Sequence, residues 1–87
     1  MNQIITQAIR ERRCLRLHYD GFDRLVEPHT YGVNTAGHEA ISAYQVAGGS
    51  VSKSKPTWRE FLVSKARSIS LANEVFTGTF SRIYAQL

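Results

Sequence analysis

The sequence lacks the features that mark several classes of protein. Its one cysteine, Cys14, has no second cysteine to pair with, so a fold held by an intramolecular disulfide is excluded. No apolar run has the length of a membrane span, and the first residues do not resemble a secretory signal. We therefore expect a cytoplasmic protein that does not enter a membrane.

Catalytic and metal-binding motifs are also missing. The sequence contains no glycine-rich phosphate loop, no nucleophile elbow and no paired catalytic carboxylates. Its histidines, His18, His29 and His38, fall on separate predicted elements without the close spacing of zinc ligands. We expect no enzyme activity, no metal and no cofactor. A reactive thiol at Cys14 is less favoured than a small residue where a helix meets a strand.

The composition is that of a small globular domain. Hydrophobic residues make up 43% of the 87 residues and charged residues 21%, with no low-complexity tract. A chain of this length closes one compact core, so residues 1–87 are expected to form a single domain.

Positive charge is concentrated in two blocks. Arginines and lysines dominate residues 1–16 and 53–67, whereas acidic residues prevail between them, and the formal net charge is +4. Clustered positive charge attracts phosphates through steering and counterion release. The pattern is typical of an anion-binding protein, although a solvated basic face has the same appearance.

The beginning of the chain has the period of a helix. Apolar side chains recur at the spacing of one helical face over residues 2–13, namely Ile4, Ile5, Ala8 and Ile9. Asn2 is a suitable N-cap, and the arginines at the far end complement the helix dipole. An amphipathic helix is therefore predicted over residues 1–13.

After Cys14 the apolar period changes to two, which is typical of strands with one buried face. Turn signals at Asp20-Gly21 and Asn34–Gly37 separate these segments, and residues 47–57 are predicted to form a long hairpin loop. Pro28 lacks a hydrogen-bond donor, so it belongs at an edge, a bulge or a strand end. The five predicted strands lie at about 15–19, 24–27, 38–46, 58–63 and 66–71.

One helix followed by short strands without helical crossovers predicts a mainly β fold. The economical solution is a small five-stranded antiparallel SH3-like or Sm-like barrel over residues 14–71, with an OB-type barrel as the rival. Residues 72–87 form an apolar C-terminal tail. This tail either caps the core or docks on another chain.

Five segments occur in a characteristic order: AIRERRCLRLHY (8–19), RLVEP (24–28), ISAY (41–44), WREFLVSKARSI (58–69) and EVF (74–76). In order and spacing they resemble the WYL domain, a bacterial module named for a Trp-Tyr-Leu run. The resemblance extends from about Ile4 to Phe76. At the position of that run, this chain has Glu39, Ala40 and Ile41.

The resemblance implies an Sm-like barrel that acts as a sensor. WYL domains are generally regarded as modules that bind nucleic-acid or nucleotide ligands, usually next to a helix-turn-helix DNA-binding domain. No helix-turn-helix segment occurs in these 87 residues. The resemblance therefore implies a stand-alone module linked to bacterial transcription regulation.

Candidate ligand-binding residues combine arginine or lysine, for phosphates, with aromatic rings on which bases stack. Arg24 and Lys65 match the family's basic positions, and Arg67 shares the face of Lys65 if the strand is regular. An ion pair of Arg24 with Asp20 or Asp23 is an equal alternative. The full set of candidates is Arg24, Lys65, Arg67, Tyr44, His38 and Arg59.

Each candidate also has a structural explanation. Tyr44 is expected on the strand face opposite Ile41 and Ala43, beside His38, where a half-buried tyrosine more often packs than binds. Tyr19 and Trp58 are open to the same two interpretations. Arg59 alternates with Trp58 and fits a solvated strand residue.

Three functions follow from these observations. The leading hypothesis is a regulatory module that senses single-stranded nucleic acid or a nucleotide. The alternative is a protein-interaction module without a nucleic-acid ligand, which forms a homo-oligomer or joins a transcription regulator through its C-terminal tail and sheet edges. The third is a WYL fold that has lost its ligand.

Overall fold

A computed structural model describes residues 2–48 and 57–77, which form one helix and one five-stranded antiparallel sheet. The predicted fold class, mainly β with an N-terminal helix and five antiparallel strands, is confirmed. The elements are α1 (Gln3–Glu11), β1 (Arg13–Tyr19), β2 (Phe22–Val33), β3 (Glu39–Gly48), β4 (Thr57–Leu62), a 3₁₀ turn (Val63–Lys65) and β5 (Arg67–Val75).

The N-cap predicted for α1 is confirmed. The Asn2 Oδ1 atom accepts hydrogen bonds from the backbone N–H groups of Ile4 and Ile5, at 2.9 and 3.1 Å. The helix ends before Arg12, which adopts a left-handed conformation with φ 55°. This conformation turns the chain directly into β1, so the helix is shorter than the predicted 1–13.

β2 is the central strand of the sheet, whose order is β4-β3-β2-β1-β5. It continues through Pro28, so the prediction that this strand ends near residue 27 is wrong. The pairing register with β3 shifts between Pro28 and Thr30, which leaves His29 as an extra residue. Pro28 therefore lies at a β-bulge, one of the three predicted settings, because a bulge tolerates the missing donor.

Both predicted turns are confirmed. Asp20 and Gly21 have positive φ angles of 51° and 84° and form the two-residue turn between β1 and β2. In the second turn, the Asn34 N–H donates to the carbonyl of His38 at 2.9 Å, and Asn34 Oδ1 accepts from the His38 N–H at 3.0 Å. His38 thus belongs to the turn, and β3 begins at Glu39 rather than at the predicted residue 38.

The main core lies between α1 and the inward face of the sheet. Tyr31, which is completely buried, joins the two layers because its hydroxyl accepts from the Asn2 N–H at 2.8 Å and donates to Glu39. The buried side chains of this core are Ile5, Ala8, Ile9, Leu15, Leu17, Tyr19, Val26, Tyr31, Ile41, Ala43 and Phe61. Ile41 and Ala43 point inward as predicted.

The sheet curls until β1 approaches β4, although these strands are not neighbours in it. The Leu62 N–H donates to the Tyr19 hydroxyl at 3.1 Å, and the rings of Tyr19 and Phe61 meet edge to face at 5.0 Å. No described strand pairs with the outer edges of β4 and β5, so the sheet is not closed into the predicted barrel. Side chains rather than a ladder of backbone hydrogen bonds span the open side.

The last described strand differs in length from the prediction. A break near Ser64 and Lys65 is confirmed by the 3₁₀ turn, but β5 runs to Val75 rather than to Leu71. The first residues of the predicted tail are therefore part of the sheet. The remainder, residues 78–87, and positions 49–56 of the predicted hairpin loop lie outside the described residues. In the described ranges, no helix has the length and apolar character needed to cross a membrane.

Candidate functional site

The inward face of the sheet carries a cluster of three polar side chains. Arg24 on β2 is two residues from the core residue Val26 and shares its face, so the Arg24 side chain points inward. It is only 5% exposed. Gln45 on β3 is buried beside it. Arg59 on β4 pairs with the core residue Ala43. We call Arg24, Gln45 and Arg59 the inner basic site.

Aromatic rings surround the Arg24 guanidinium. Its central carbon lies 5.4 Å from the ring centroid of Tyr19, 5.6 Å from that of Phe61 and 6.0 Å from that of Phe22. Contacts of this kind stabilise a cation by about 0.5–2 kcal/mol, and more when it is desolvated. The rings therefore hold the guanidinium in a fixed place inside the curled sheet.

Within the described residues, the hydrogen-bond partners of Arg24 are neutral. Its Nη2 donates to the carbonyl of Tyr19 at 3.0 Å, and its Nη1 donates to Gln45 Oε1 at 3.3 Å. The buried Nε has no hydrogen-bond partner within residues 2–48 and 57–77. One of its donors is therefore unsatisfied among the described residues.

The charge of Arg24 is poorly compensated. Burial lowers the pKa of Arg24, the nearby positive charge of Arg59 lowers it further, and Asp20 acts in the opposite direction. Among the described residues Arg24 makes no ion pair, although buried charges in proteins are normally paired. An anion placed between Arg24 and Arg59 would supply the missing negative charge.

The structure brings together two of the predicted site residues, Arg24 and Arg59. The alternative for Arg24, an ion pair with Asp20 or Asp23, does not occur. Asp23 instead lies 2.9 Å from Nδ1 of His18, on the outward side of the hairpin.

Three other candidates lie elsewhere. Lys65 ends the 3₁₀ turn and Arg67 begins β5 opposite His18, and both are exposed. No hydrogen bond or ion pair joins either to Arg24 in the described part of the chain. His38 is exposed in the turn at the opposite end of the β2–β3 ladder from Arg24.

Tyr44 is separated from Arg24 by the sheet itself. It points outward, as predicted, and pairs across strands with Glu27 on one side and Trp58 on the other. One base cannot stack on Tyr44 while its own phosphate contacts Arg24 inside the sheet. We call Glu27, His29, Tyr44 and Trp58 the outer aromatic row.

Three residues around Arg24 were not among the predicted site residues, namely Gln45, Phe22 and Phe61. The signal for Gln45 was present, because the two-residue period that buries Ile41 and Ala43 continues to it. The same period places Phe22, two residues before Arg24 on β2, on the face of Arg24, whereas Phe61 gave no such signal, since the curl of the sheet brings it to Arg24 from β4.

A groove of about 530 Å³ on the outward side is a weaker candidate for binding an anion. Two of its basic side chains already have acidic neighbours: Arg16 pairs with Glu74 at 3.2 Å, and His18 lies beside Asp23. Arg24 also lines this groove, but its guanidinium belongs to the inner basic site. An anionic ligand that binds Arg16 or His18 would have to displace those carboxylates.

Comparison of the chain with protein-family models, with curated proteins and with solved structures finds no match. The chemistry of the inner basic site and the outer aromatic row is therefore the basis for a function.

Proposed function

We propose that this protein is a ligand-binding regulatory module that recognises the phosphate of a nucleic-acid or nucleotide ligand at the inner basic site. The observation that carries the proposal is the buried guanidinium of Arg24, which lies beside Arg59 and has no carboxylate partner among the described residues. Arg24 and Arg59 are the phosphate-binding residues in this proposal.

A phosphate suits this arrangement because its several oxygen atoms match the geometry of an arginine side chain. The planar guanidinium of arginine can donate two parallel hydrogen bonds to two phosphate oxygens, whereas lysine offers one ammonium group. The rings around Arg24 fix the plane of its guanidinium, so less side-chain entropy is lost on binding. A bound phosphate would also relieve the repulsion between Arg24 and Arg59.

The resemblance to WYL domains supports the same conclusion. Arg24 stands at the family's basic position in the RLVEP segment, and Lys65 matches the basic position that follows the Phe-centred strand. In this proposal Lys65 and Arg67 add long-range attraction rather than direct contact, because both are exposed. The module is not an enzyme; it acts in bacterial transcription regulation by associating with a DNA-binding partner.

The test is the binding of a fluorescent, mixed-sequence single-stranded DNA, and of a labelled mononucleotide, measured by anisotropy at low and at physiological salt. Arg24→Met and Arg59→Met each remove one donor group and keep the apolar part of the side chain. Arg10→Met, at an exposed position in the last turn of α1, removes the same charge elsewhere and serves as the matched control.

We expect saturable binding to the wild type that weakens as salt rises, because counterions are released on binding. Arg24→Met and Arg59→Met should each weaken it by about 10-fold to 100-fold, the effect of losing a hydrogen bond to a charged group. Arg10→Met should change it by less than about twofold. Equal weakening in all three variants would reduce the interaction to diffuse charge attraction, and no binding of either probe at low salt would refute the proposal.

A second candidate function, assembly through the sheet edges, is favoured by one observation. The outer edges of β4 and β5 are unpaired within the described residues, and Val75 on β5 is 71% exposed. Such edges can pair with a strand of another chain. Sedimentation should then show a dimer or larger species that Val75→Lys disperses and Val33→Lys, at an exposed β2 position, does not. A wild type that remains monomeric at high concentration would exclude this function.

A further inference from the structure

The outer aromatic row presents aromatic rings and a carboxylate side by side on three adjacent strands. Glu27 on β2 pairs with Tyr44 on β3, and Tyr44 pairs with Trp58 on β4, so the three side chains lie in one line across the sheet. Trp58 is 52% exposed, which is unusual for a large aromatic side chain. This line of residues is not used by the inner basic site, which lies on the other side of the sheet.

The rings of the row stand at steep angles to one another. The rings of Tyr44 and Trp58 are 5.7 Å apart between centroids with an interplanar angle of 76°, and those of His29 and Trp58 are 4.9 Å apart at 53°. Perpendicular rings form a corner in which a small group can contact more than one π face or edge. A flat stack of rings would not offer this.

His29 packs against the Trp58 ring. It is 5% exposed, because Trp58 covers one side of it and Phe76 packs against it with centroids 4.9 Å apart. Its Nε2 is 3.6 Å from Glu27 Oε1, and its Nδ1 has no hydrogen-bond partner within residues 2–48 and 57–77. The buried polar ring thus adds a further acceptor or donor next to Trp58 that the described residues do not satisfy.

On β2, β3 and β4 the charge around the row is negative. Trp58 and Glu60 share the outward face of β4 because they are two residues apart, and Glu27 lies at the other end of the row. The only arginines on β2, β3 and β4 are Arg24 and Arg59, which belong to the inner basic site, and these strands contain no lysine. The side chains of these three strands therefore disfavour an anionic ligand at this surface and favour a cation.

We propose that the outer aromatic row is a binding site for a small quaternary-ammonium cation of the choline type. The methyl groups of such a cation carry the positive charge to the faces of Tyr44 and Trp58, and Glu27 supplies the counter-charge. Aromatic corners with a neighbouring carboxylate suit these cations because a diffuse, weakly hydrated charge loses little on leaving water. This site is independent of the proposed phosphate function.

The experiment uses the fact that Trp58 is the only tryptophan of the chain. Its indole N–H gives a single cross-peak in a ¹H–¹⁵N spectrum of the full-length protein, so a titration reports directly on this site. The probe is choline, and the matched control compound is 3,3-dimethylbutan-1-ol, which has the same shape without the charge.

We expect choline to shift the Trp58 indole peak saturably at millimolar concentrations, and the neutral compound to bind about tenfold more weakly or not at all. Glu27→Gln should weaken choline binding about tenfold, because it removes the counter-charge and keeps the shape. Glu74→Gln removes a carboxylate from β5, which is not adjacent to β2 in the sheet, and should have less than a twofold effect.

Two results would overturn the proposal. Equal affinity for choline and its neutral analogue would make the row an ordinary apolar contact surface. Absence of a saturable shift of the indole peak up to about 100 mM choline, far above millimolar dissociation constants, would exclude the site. Arg24→Met should bind choline as the wild type does, so failure of the phosphate proposal leaves this result unaffected.

Discussion

The inner basic site and the outer aromatic row lie on the same three strands and have opposite chemistry. In β4, Trp58 and Arg59 are consecutive residues, yet one joins an acidic, half-exposed surface and the other joins a cationic cluster on the inward side. The separation follows from the two-residue period of a strand, which sends neighbouring side chains to opposite faces. A sheet only one residue thick can therefore carry two sites of opposite charge.

The two regions differ in how much the burial of their polar groups destabilises the folded protein. Arg24 is buried, and removing its charge from water costs several kcal/mol that neutral partners recover only in part. Glu27 and Trp58 keep contact with solvent, so their cost is small. Stability measurements should therefore separate the two regions before any ligand is known.

The largest difference is expected between Phe61→Ala and Trp58→Ala, two aromatic truncations on β4. Phe61 is 1% exposed and touches both Tyr19 and Arg24, so its loss should lower the free energy of unfolding by about 3–5 kcal/mol. Trp58 is half exposed, and its loss should cost about 1–2 kcal/mol. Urea denaturation followed by circular dichroism measures both, and equal losses would contradict the division between the two regions.

A backbone substitution tests how tightly β3 approaches Arg24. A Cβ atom at Gly48 would lie 2.2 Å from the Asp23 carbonyl oxygen, and Gly48 has a φ of 102°. Gly48→Ala should therefore cost about 3 kcal/mol, the sum of steric overlap and backbone strain. Gly37→Ala is the matched control, since its φ is 85° but nothing lies within 4 Å of the new Cβ.

Strain alone should make Gly37→Ala cost about 1–2 kcal/mol in the same denaturation experiment. If both alanine variants lose the same stability, the close approach of Gly48 to β2 is not a constraint on the inner basic site.

For Arg24→Met we expect a smaller change in the free energy of unfolding, and one that does not destabilise the protein. Replacing a buried, incompletely paired charge with an apolar side chain of similar volume should leave the free energy of unfolding unchanged or raise it by about 1–2 kcal/mol. Thermal denaturation at fixed pH measures the change. A loss of more than about 2 kcal/mol would make Arg24 a structural residue instead of a ligand-binding one.

The smallest effect concerns Cys14, which is buried on the outward side of the sheet with Ala72 and Phe76. Burial raises the pKa of the Cys14 thiol, and the negative charges of Glu27 and Glu74 raise it further. Because the thiolate is the reactive form, reaction with a disulfide reagent near pH 8 should be slow in the native protein. Glu27→Gln should accelerate it by about twofold, since one of the charges that disfavour the thiolate is removed.

The raised pKa of Cys14 also determines the direction in which the stability of the protein changes with pH. The folded protein favours the neutral thiol, so this contribution to stability is present at neutral pH and is lost as the pH rises through the raised pKa of Cys14. A reaction rate in the native protein equal to that of the urea-unfolded chain would show that Cys14 is not protected.

Sequence patterns that involve only neighbouring residues predicted the corresponding elements of this fold correctly. The N-cap at Asn2 and the turn at Asp20-Gly21 depend on residues within a few positions of one another, and both were predicted. The length of β2 was not, because a β-bulge that admits Pro28 into a central strand depends on the partner strand β3. The inward direction of Arg24 follows from the same alternation that buries Val26.

The sequence by itself determined the mainly β class, the helix and its cap, the turns and the alternation of faces, because each depends on local geometry and apolar period. Only the tertiary structure decided which charged residues meet. The curl that brings β1 to β4 places Phe61 and Tyr19 around Arg24 and leaves Lys65, Arg67 and His38 outside the cluster. Contacts between distant parts of a chain follow from how the sheet packs as a whole, and no local pattern encodes them.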